Sequence, residues 1–192
     1  MDGTIFLESS KKQFAYYKSM GDRSFAQLSP EQLFTAPNSQ SNSIAVLVNH
    51  LHGNMLSRWT DFLTSDGEKE TRQRDQEFEE IIKDATELHQ KWEQGWAVLF
   101  DALDQVNAQN INTLVYIRNQ GHSIVEAMQR QLCHYAYHVG QIVFYAKILK
   151  ADFDSLSIPK GQSKAYNKGK FSKPKSKTHF TDEYLNSDQQ NG

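Results

Sequence analysis

The segment "SIVEAMQRQLCHYAYHVGQIVFYAKIL", residues 123–149, carries the clearest local evidence for the fold. Ser123 and Glu126 form a capping box, in which each side chain can accept a hydrogen bond from the other residue's backbone amide. The residues that follow the cap on one line at helical spacing are Ile124, Met128, Gln131, His134, His138, Gln141 and Tyr145. We therefore predict a helix over 123–149 that presents His134 and His138 on the same face.

Apolar residues also recur every three or four positions in three other parts of the chain, which predicts three more long helices. These helices are predicted at residues 3–27, 43–63 and 75–105. The segment 113–118, "TLVYIR", is rich in β-branched and aromatic side chains and predicts a short extended segment before the last helix. Four amphipathic helices around one core indicate an all-α four-helix bundle over residues 1–157.

Composition limits the classes of function. The chain has 192 residues, enough for one domain with a substantial core, and its formal net charge is -2, which gives no whole-protein attraction to nucleic acid. The single cysteine excludes an internal disulfide framework, and the N-terminal residues do not resemble a secretion signal. No apolar run approaches the roughly 20 residues that span a bilayer. We expect a cytoplasmic protein without a membrane or nucleic-acid partner.

Residues 158–192 differ in composition from the rest of the chain. Between residues 158 and 177 there are seven lysines and no acidic residue. Such a segment cannot bury enough apolar surface to build a core. We predict a lysine-rich, partly disordered C-terminal extension, which is a solvated end more often than a binding surface.

The two histidines of the last helix are candidate metal ligands. A third histidine, His50, lies on the inward face of the predicted helix over 43–63. Three neutral imidazoles that converge inside a bundle match the open zinc sites of enzymes, which keep a position for water or substrate. The alternative is that His134 and His138 are a hydrogen-bonded pair in the core. We predict the remaining histidines outside this site: His52 at the rim, His89 in the core or at the rim, His122 at a helix entrance and His179 in the tail.

Other metal and nucleophile motifs are missing from the sequence. No Glu-x-x-His occurs, so a carboxylate-bridged di-iron bundle lacks its ligands. Tyr135 follows His134, so there is no HExxH, and GxSxG does not occur either. Cys133 adjoins His134, but adjacent helical residues point about 100° apart, so we expect a buried apolar residue at this position. The predicted site has no built-in general base.

Two stretches of the sequence resemble the DinB/YfiT-like superfamily of metalloenzymes, in particular a Bacillus-type branch. They are "SIAVLVNHLHGNMLSRWTDFL" at 43–63 and "QLCHYAYHVGQIVFYAKIL" at 131–149. The likeness extends from the first helix through "SIPKGQS" at 157–163. It implies a four-helix bundle with up-down-down-up topology and a homodimer. It places the family's metal triad at His50, His134 and His138, with zinc, nickel or a similar divalent ion as the metal.

The same resemblance implies a chemistry. Characterised relatives include S-transferases and isomerases that use bacillithiol, mycothiol or glutathione. Our first hypothesis is a metal-dependent transferase acting on a low-molecular-weight thiol and an electrophile, with Arg58, Tyr137 and Gln141 as candidate pocket residues. The alternatives are a metal-dependent hydrolase and a non-enzymatic binding or stress-response module with a structural metal. Aromatic residues available to cover the homodimer interface include Trp59, Trp92 and Trp96.

Overall fold

The computed structural model describes residues 3–188, with side chains as far as residue 186. In this part of the chain the protein is mainly helical, with one two-stranded sheet. The elements are α1 (Gly3–Phe25), α2 (Pro30–Phe34), α3 (Ile44–Trp59), α4 (Ala85–Asp104), β1 (Leu114–Ile117), β2 (Gln120–Ser123), α5 (Ile124–Leu149), α6 (Ser163–Asn167) and α7 (Asp182–Asp188). The predicted helical class is confirmed. No helix between residues 3 and 188 has the length and apolar character needed to cross a bilayer.

Four long helices enclose the core. Helix α3 packs against α4 and α5, and α1 packs against α5 and α4, so each long helix has two neighbours in the set. Helix α5 begins where the capping box predicts, because the Ser123 hydroxyl accepts the Glu126 amide at 3.2 Å and the Glu126 carboxylate accepts the Ser123 amide at 2.7 Å. This rigid start fixes the helix that carries two of the three candidate ligands.

The tryptophans belong to the core. Trp59, Trp92 and Trp96 expose only 3, 2 and 0% of their surface, so they cannot cover a subunit interface as the sequence suggested. Close approach of α1 to Trp92 also explains Gly21, since a Cβ at this glycine would clash with the indole ring. Any larger residue at this position would push the two helices apart.

The predicted helix over 75–105 is wrong in its first third. Residues Asp75–Phe78 form one turn of 3-10 helix, and α4 begins only after Asp84, whose side chain accepts the Glu87 amide at 2.9 Å. This N-cap interrupts an apolar periodicity that runs through Phe78, Ile81 and Ile82 without a break. The segment before the cap instead lies over α3, where it contributes to the histidine site.

The predicted extended segment is strand β1, and its partner β2 was missed. Leu114 pairs with Ser123 and Ile117 with Gln120 in an antiparallel hairpin. Its two turn residues, Arg118 and Asn119, both have left-handed backbones with φ of 57° and 59°. Sequence signals for such turns are Asn-Gly or Asp-Gly, so an Arg-Asn pair does not announce this hairpin.

The C-terminal segment contains α6 and α7. Its residues 179–184 lie against α1, where Lys12 forms a 2.6 Å ion pair with Asp182 and Ser9 lies 3.0 Å from His179. Thr181 is completely buried at this contact. The last four residues of the predicted disordered extension, 189–192, lie outside the described residues.

Candidate metal centre

Three imidazoles from two helices meet at one point. His50 comes from α3, and His134 and His138 lie one turn apart on α5. The Nε2 of His134 lies 3.2 Å from the Nε2 of His50 and 3.1 Å from the Nε2 of His138. His50 and His138 are buried and His134 is half-buried. The three predicted ligands are therefore brought together as one cluster that can hold a metal ion.

The outer nitrogen of each ring faces an oxygen. His50 Nδ1 lies 2.9 Å from Glu77 Oε2, and His138 Nδ1 lies 2.8 Å from Gln141 Oε1. His134 Nδ1 lies 3.4 Å from the amide oxygen of Gln131. An oxygen acceptor at Nδ1 places the ring proton there, which leaves the lone pair on Nε2. All three lone pairs then point toward the centre of the cluster.

The Nε2 lone pairs of His134 and His138 are not protonated near pH 7. Burial, followed by the charges of His138 and His50, lowers the pKa of His134 to about 3. Burial and then His50 lower the pKa of His138 to about 4, against the opposing effect of the hydrogen bond that its ring makes to the Gln141 oxygen. Both rings are therefore neutral near pH 7. Neutral imidazole is the form that binds a metal.

The cluster meets a geometric test for a metal site. Nitrogen ligands bind zinc at about 2.0–2.1 Å in tetrahedral geometry, which separates two ligand nitrogens by about 3.3 Å. The two Nε2 separations around His134 are close to this value. If His134 carried a proton on Nε2, it could donate well to only one of its two neighbours and would leave the other lone pair opposed. The donor set therefore fits a divalent cation better than a cluster of hydrogen-bonded rings.

A carboxylate that the sequence did not reveal supports His50. Glu77 accepts from His50 and also from both Nε and Nη2 of Arg72, at 2.7 and 2.8 Å. Burial alone would raise the pKa of Glu77, but the hydrogen bonds from His50 and Arg72 outweigh it and hold that pKa below its ordinary value. The charged carboxylate fixes the orientation of His50, as in carboxylate–histidine–zinc sites.

The histidines open onto a cavity of about 390 Å³. Its lining combines polar and basic residues with one aromatic ring: His50, Asn54, Arg58, Arg72, Arg74, Phe78, Arg118, Arg130, Gln131, His134 and His138. Phe78 stacks on His50 with ring centres 4.5 Å apart and covers one side of the cluster. A small molecule in this cavity can reach the point where the three Nε2 atoms meet.

The three candidate pocket residues occupy different positions. Arg58 lines the cavity, and its guanidinium pairs with Glu68 at 2.9 Å. Gln141 contacts the Nδ1 side of His138 and donates to the hydroxyl of Tyr137 at 3.1 Å. Gln141 and Tyr137 therefore adjoin a ligand from behind, and neither belongs to the cavity lining.

The remaining histidines lie away from the cluster. The ring of His52 is 2.9 Å from Gln94, and His89 is exposed against the edge of Phe25. His122 lies on β2, next to the start of α5, and His179 contacts α1. Cys133 is exposed, so the prediction of a buried cysteine is wrong. Its position on α5 faces outward, one residue before the inward His134.

Comparison with known proteins gives a family and no named relative. Neither a curated protein nor a solved structure matches the chain. Residues 2–162, which include all three histidines and Glu77, match the family described as "Protein of unknown function (DUF1572)". Because this match covers most of the chain, the protein belongs to that family.

Proposed function

We propose that the protein is a divalent-metal-dependent S-transferase that joins a low-molecular-weight thiol to an electrophile. The observation that carries this proposal is the convergence of three Nε2 atoms at the wall of a cavity. Three protein ligands beside open space are typical of catalytic zinc sites, whereas structural sites are closed by four. Zinc and nickel are the proposed ions, since imidazole suits both.

The chain's own side chains prepare the site. His50, His134 and His138 supply the ligands, Glu77 and Gln141 orient two of the rings, and the cavity admits the substrates. When bound, a divalent cation would lower the pKa of a thiol at its open position and favour the nucleophilic thiolate. In the proposed transfer the sulfur would bond to the electrophilic carbon, the displaced group would leave with the electrons of the broken bond, and the thiol proton would pass to solvent.

A metal-dependent hydrolase is the alternative enzyme, and the cavity supports it less well. Hydrolases of this kind commonly use a carboxylate as general base beside the metal. Among the described residues no carboxylate lines the cavity, and Glu77 is occupied by His50 and Arg72. A thiol has a pKa near 8.5 and needs no such base once a cation is present. The transferase proposal is therefore favoured, because it does not require the general base that a hydrolase would need.

A binding or stress-response module with a structural metal is the non-enzymatic alternative. It predicts that chelation unfolds the protein, because structural metal sites supply folding free energy. The core of this chain includes fully buried aromatic residues from three helices, since Phe14 of α1 and Trp96 of α4 both pack on Tyr135 of α5. This packing supports a fold that stands without the ion.

We further propose a DinB/YfiT-like bundle with up-down-down-up topology that forms a homodimer. The packing of α3 on α4 and of α1 on α5 supports such a bundle. For the interface we propose the exposed stripe of α5, formed by Tyr137, Phe144 and Ile148, which expose 62, 68 and 61% of their surface. Contiguous exposed apolar side chains of this size commonly mark interaction surfaces.

The proposed activity is tested with the metal-loaded chain. Conjugation of bacillithiol, or of glutathione as a surrogate, to an aromatic electrophile should be accelerated in proportion to metal content. The His50→Ala variant should lose this acceleration while its helical circular dichroism persists, and His52→Ala should retain both, because His52 lies outside the cluster. Absence of acceleration with any common cellular thiol would contradict the transferase proposal, and turnover in an ester or amide screen would favour the hydrolase.

A further inference from the structure

The arginines of this chain are concentrated at the histidine cavity. The sequence contains six arginines, and five of them line the cavity: Arg58, Arg72, Arg74, Arg118 and Arg130. The sixth, Arg23, donates to the carbonyl of Leu156 elsewhere. Between residues 3 and 186 no lysine lines the cavity, although lysines outnumber arginines in the chain. The positive charge of the cavity lining therefore comes from guanidinium groups alone.

Two of the five arginines are buried in ion pairs, and the exposed Arg118 also pairs with Glu68, at 3.3 Å. Arg58 and Arg72 are largely buried and pair with Glu68 at 2.9 and 3.1 Å, and Arg72 also pairs with Glu77 at 2.7 Å. The other three, Arg74, Arg118 and Arg130, are exposed, and we call them the mouth arginines. The five guanidinium groups are balanced by only two carboxylates, those of Glu68 and Glu77, so the net charge beside the neutral histidines is +3.

One mouth arginine is held in an unfavourable backbone conformation. Arg118 has φ 57°, a left-handed position that residues with a Cβ adopt at a cost and that glycine or asparagine usually fills. Asp66 holds this turn by accepting the Arg118 amide at 2.8 Å and the Asn119 amide at 2.7 Å. Strained positions of this kind concentrate at functional sites. The hairpin turn thus places a guanidinium at the cavity where the fold alone would favour glycine.

The other two mouth arginines adjoin the candidate ligands. The guanidinium of Arg74 lies 5.5 Å from the ring centre of Phe78, which itself stacks on His50. Arg130 precedes His134 by one turn of α5, and its contact is with the ring of His122 at 3.5 Å. Neither Arg74 nor Arg130 has an ion pair with a carboxylate among the described residues. Their charges are available to a ligand in the cavity.

We propose that the mouth arginines form an anion subsite, which binds a small molecule carrying carboxylate or phosphate groups next to the histidine cluster. The planar guanidinium matches both groups through paired hydrogen bonds, which explains arginine in place of lysine. A cavity of about 390 Å³ holds a small molecule and excludes a polymer. The inference deepens the proposed function, because it gives one of the two substrates of that site an anionic character.

The test is calorimetric titration of the full-length, metal-loaded protein with succinate, with inorganic phosphate and with succinamide, the uncharged counterpart of succinate. Succinate or phosphate should bind, and succinamide should not. Arg74→Gln and Arg130→Gln should each weaken binding about ten-fold, the effect of losing one charge-assisted interaction. Lys83→Gln removes the same charge from an exposed position outside the cavity and should leave binding unchanged. The tighter of the two anions identifies the ligand as a carboxylate or a phosphate ester.

A parallel titration separates this inference from the proposed function. Anion binding should persist in His134→Ala, and metal content should be unchanged in both arginine variants, because the arginines and not the ion hold the anion. Loss of anion binding in His134→Ala, equal binding by wild type and the arginine variants, or no binding at 10 mM of either anion (roughly the limit of useful affinity) would overturn the subsite. Failure of the thiol conjugation assay while anion binding persists would remove only the transferase.

Discussion

Replacing Glu77 by glutamine should weaken the metal site and the fold together. The wild-type carboxylate accepts one hydrogen bond from His50 and two from Arg72, over distances of 2.7–2.9 Å, and is only 6% exposed. A glutamine keeps the shape and one acceptor oxygen, but its amide group must face a donor, either His50 or Arg72. Glu77→Gln therefore removes both the charge and part of the hydrogen bonding behind the ligand.

The magnitudes follow from burial. Removing one partner of a buried ion pair costs about 3–5 kcal/mol, and Arg72 retains Glu68 at 3.1 Å, so we expect the lower end, about 3 kcal/mol. For a chain of this size that lowers the melting temperature of the metal-free protein by about 6–12 °C. Loss of a carboxylate that orients a histidine ligand commonly weakens metal affinity about 10- to 100-fold.

Both effects are measurable on one preparation. Thermal denaturation of the chelated protein reports the stability, and competition with a fluorescent zinc chelator reports the affinity. Glu79→Gln is the matched control, because this carboxylate is exposed two residues away and has no part in the cluster. A Glu77→Gln variant whose zinc affinity stays within two-fold of the Glu79→Gln control would refute the supporting role of Glu77.

Three further predictions concern pH, the hairpin and assembly. The pKa values of His134 and His138 are lowered to about 3 and 4, so the folded rings stay neutral well below the unfolded value of 6.5. Metal should therefore remain bound near pH 5, as measured by chelator competition. The metal-free protein should lose stability as pH falls from 6.5 toward 4, because only the unfolded rings take up protons in that range, and melting curves over pH will measure this loss. Asp66→Ala removes the acceptor of the Arg118 and Asn119 amides and should cost about 1 kcal/mol in this partly exposed turn, seen as a melting temperature about 2–4 °C lower. Phe144→Glu should shift the sedimentation coefficient from dimer to monomer, and an unchanged coefficient would exclude the α5 stripe as the interface.

Local signals explain how much of the fold could be predicted. Helix α5 matches its prediction because the capping box and the apolar period lie within the helix itself. The start of α4 was misplaced because the apolar period extends through residues 78–82, although Asp84 and Glu87 offered a cap signal that would have corrected it. Strand β2 was missed because its residues, "QGHS", have little β propensity and pair only through β1.

The sequence also predicts some residues of the candidate site and not others. His134 and His138 are linked by helical spacing, and His50 follows from the inward face of its own helix, so the cluster could be inferred. Glu77 could not, because nothing in "RDQEFEE" distinguishes it from the neighbouring acids until the 3-10 turn brings it to His50. No sequence pattern singles out the cavity arginines either, because all six arginines precede residue 131 but lysines occur in the same part of the chain.

Metal analysis of protein purified without an affinity tag tests the central proposal most directly. Wild type and His52→Ala should each hold about one divalent ion per chain, since His52 contacts Gln94 and not the cluster. His50→Ala and His134→Ala should lose most of that metal while keeping the helical circular dichroism of the wild type. Metal content that is equal in all four proteins, or a wild type that binds no divalent ion after dialysis against zinc or nickel, would contradict a metal centre built from His50, His134 and His138.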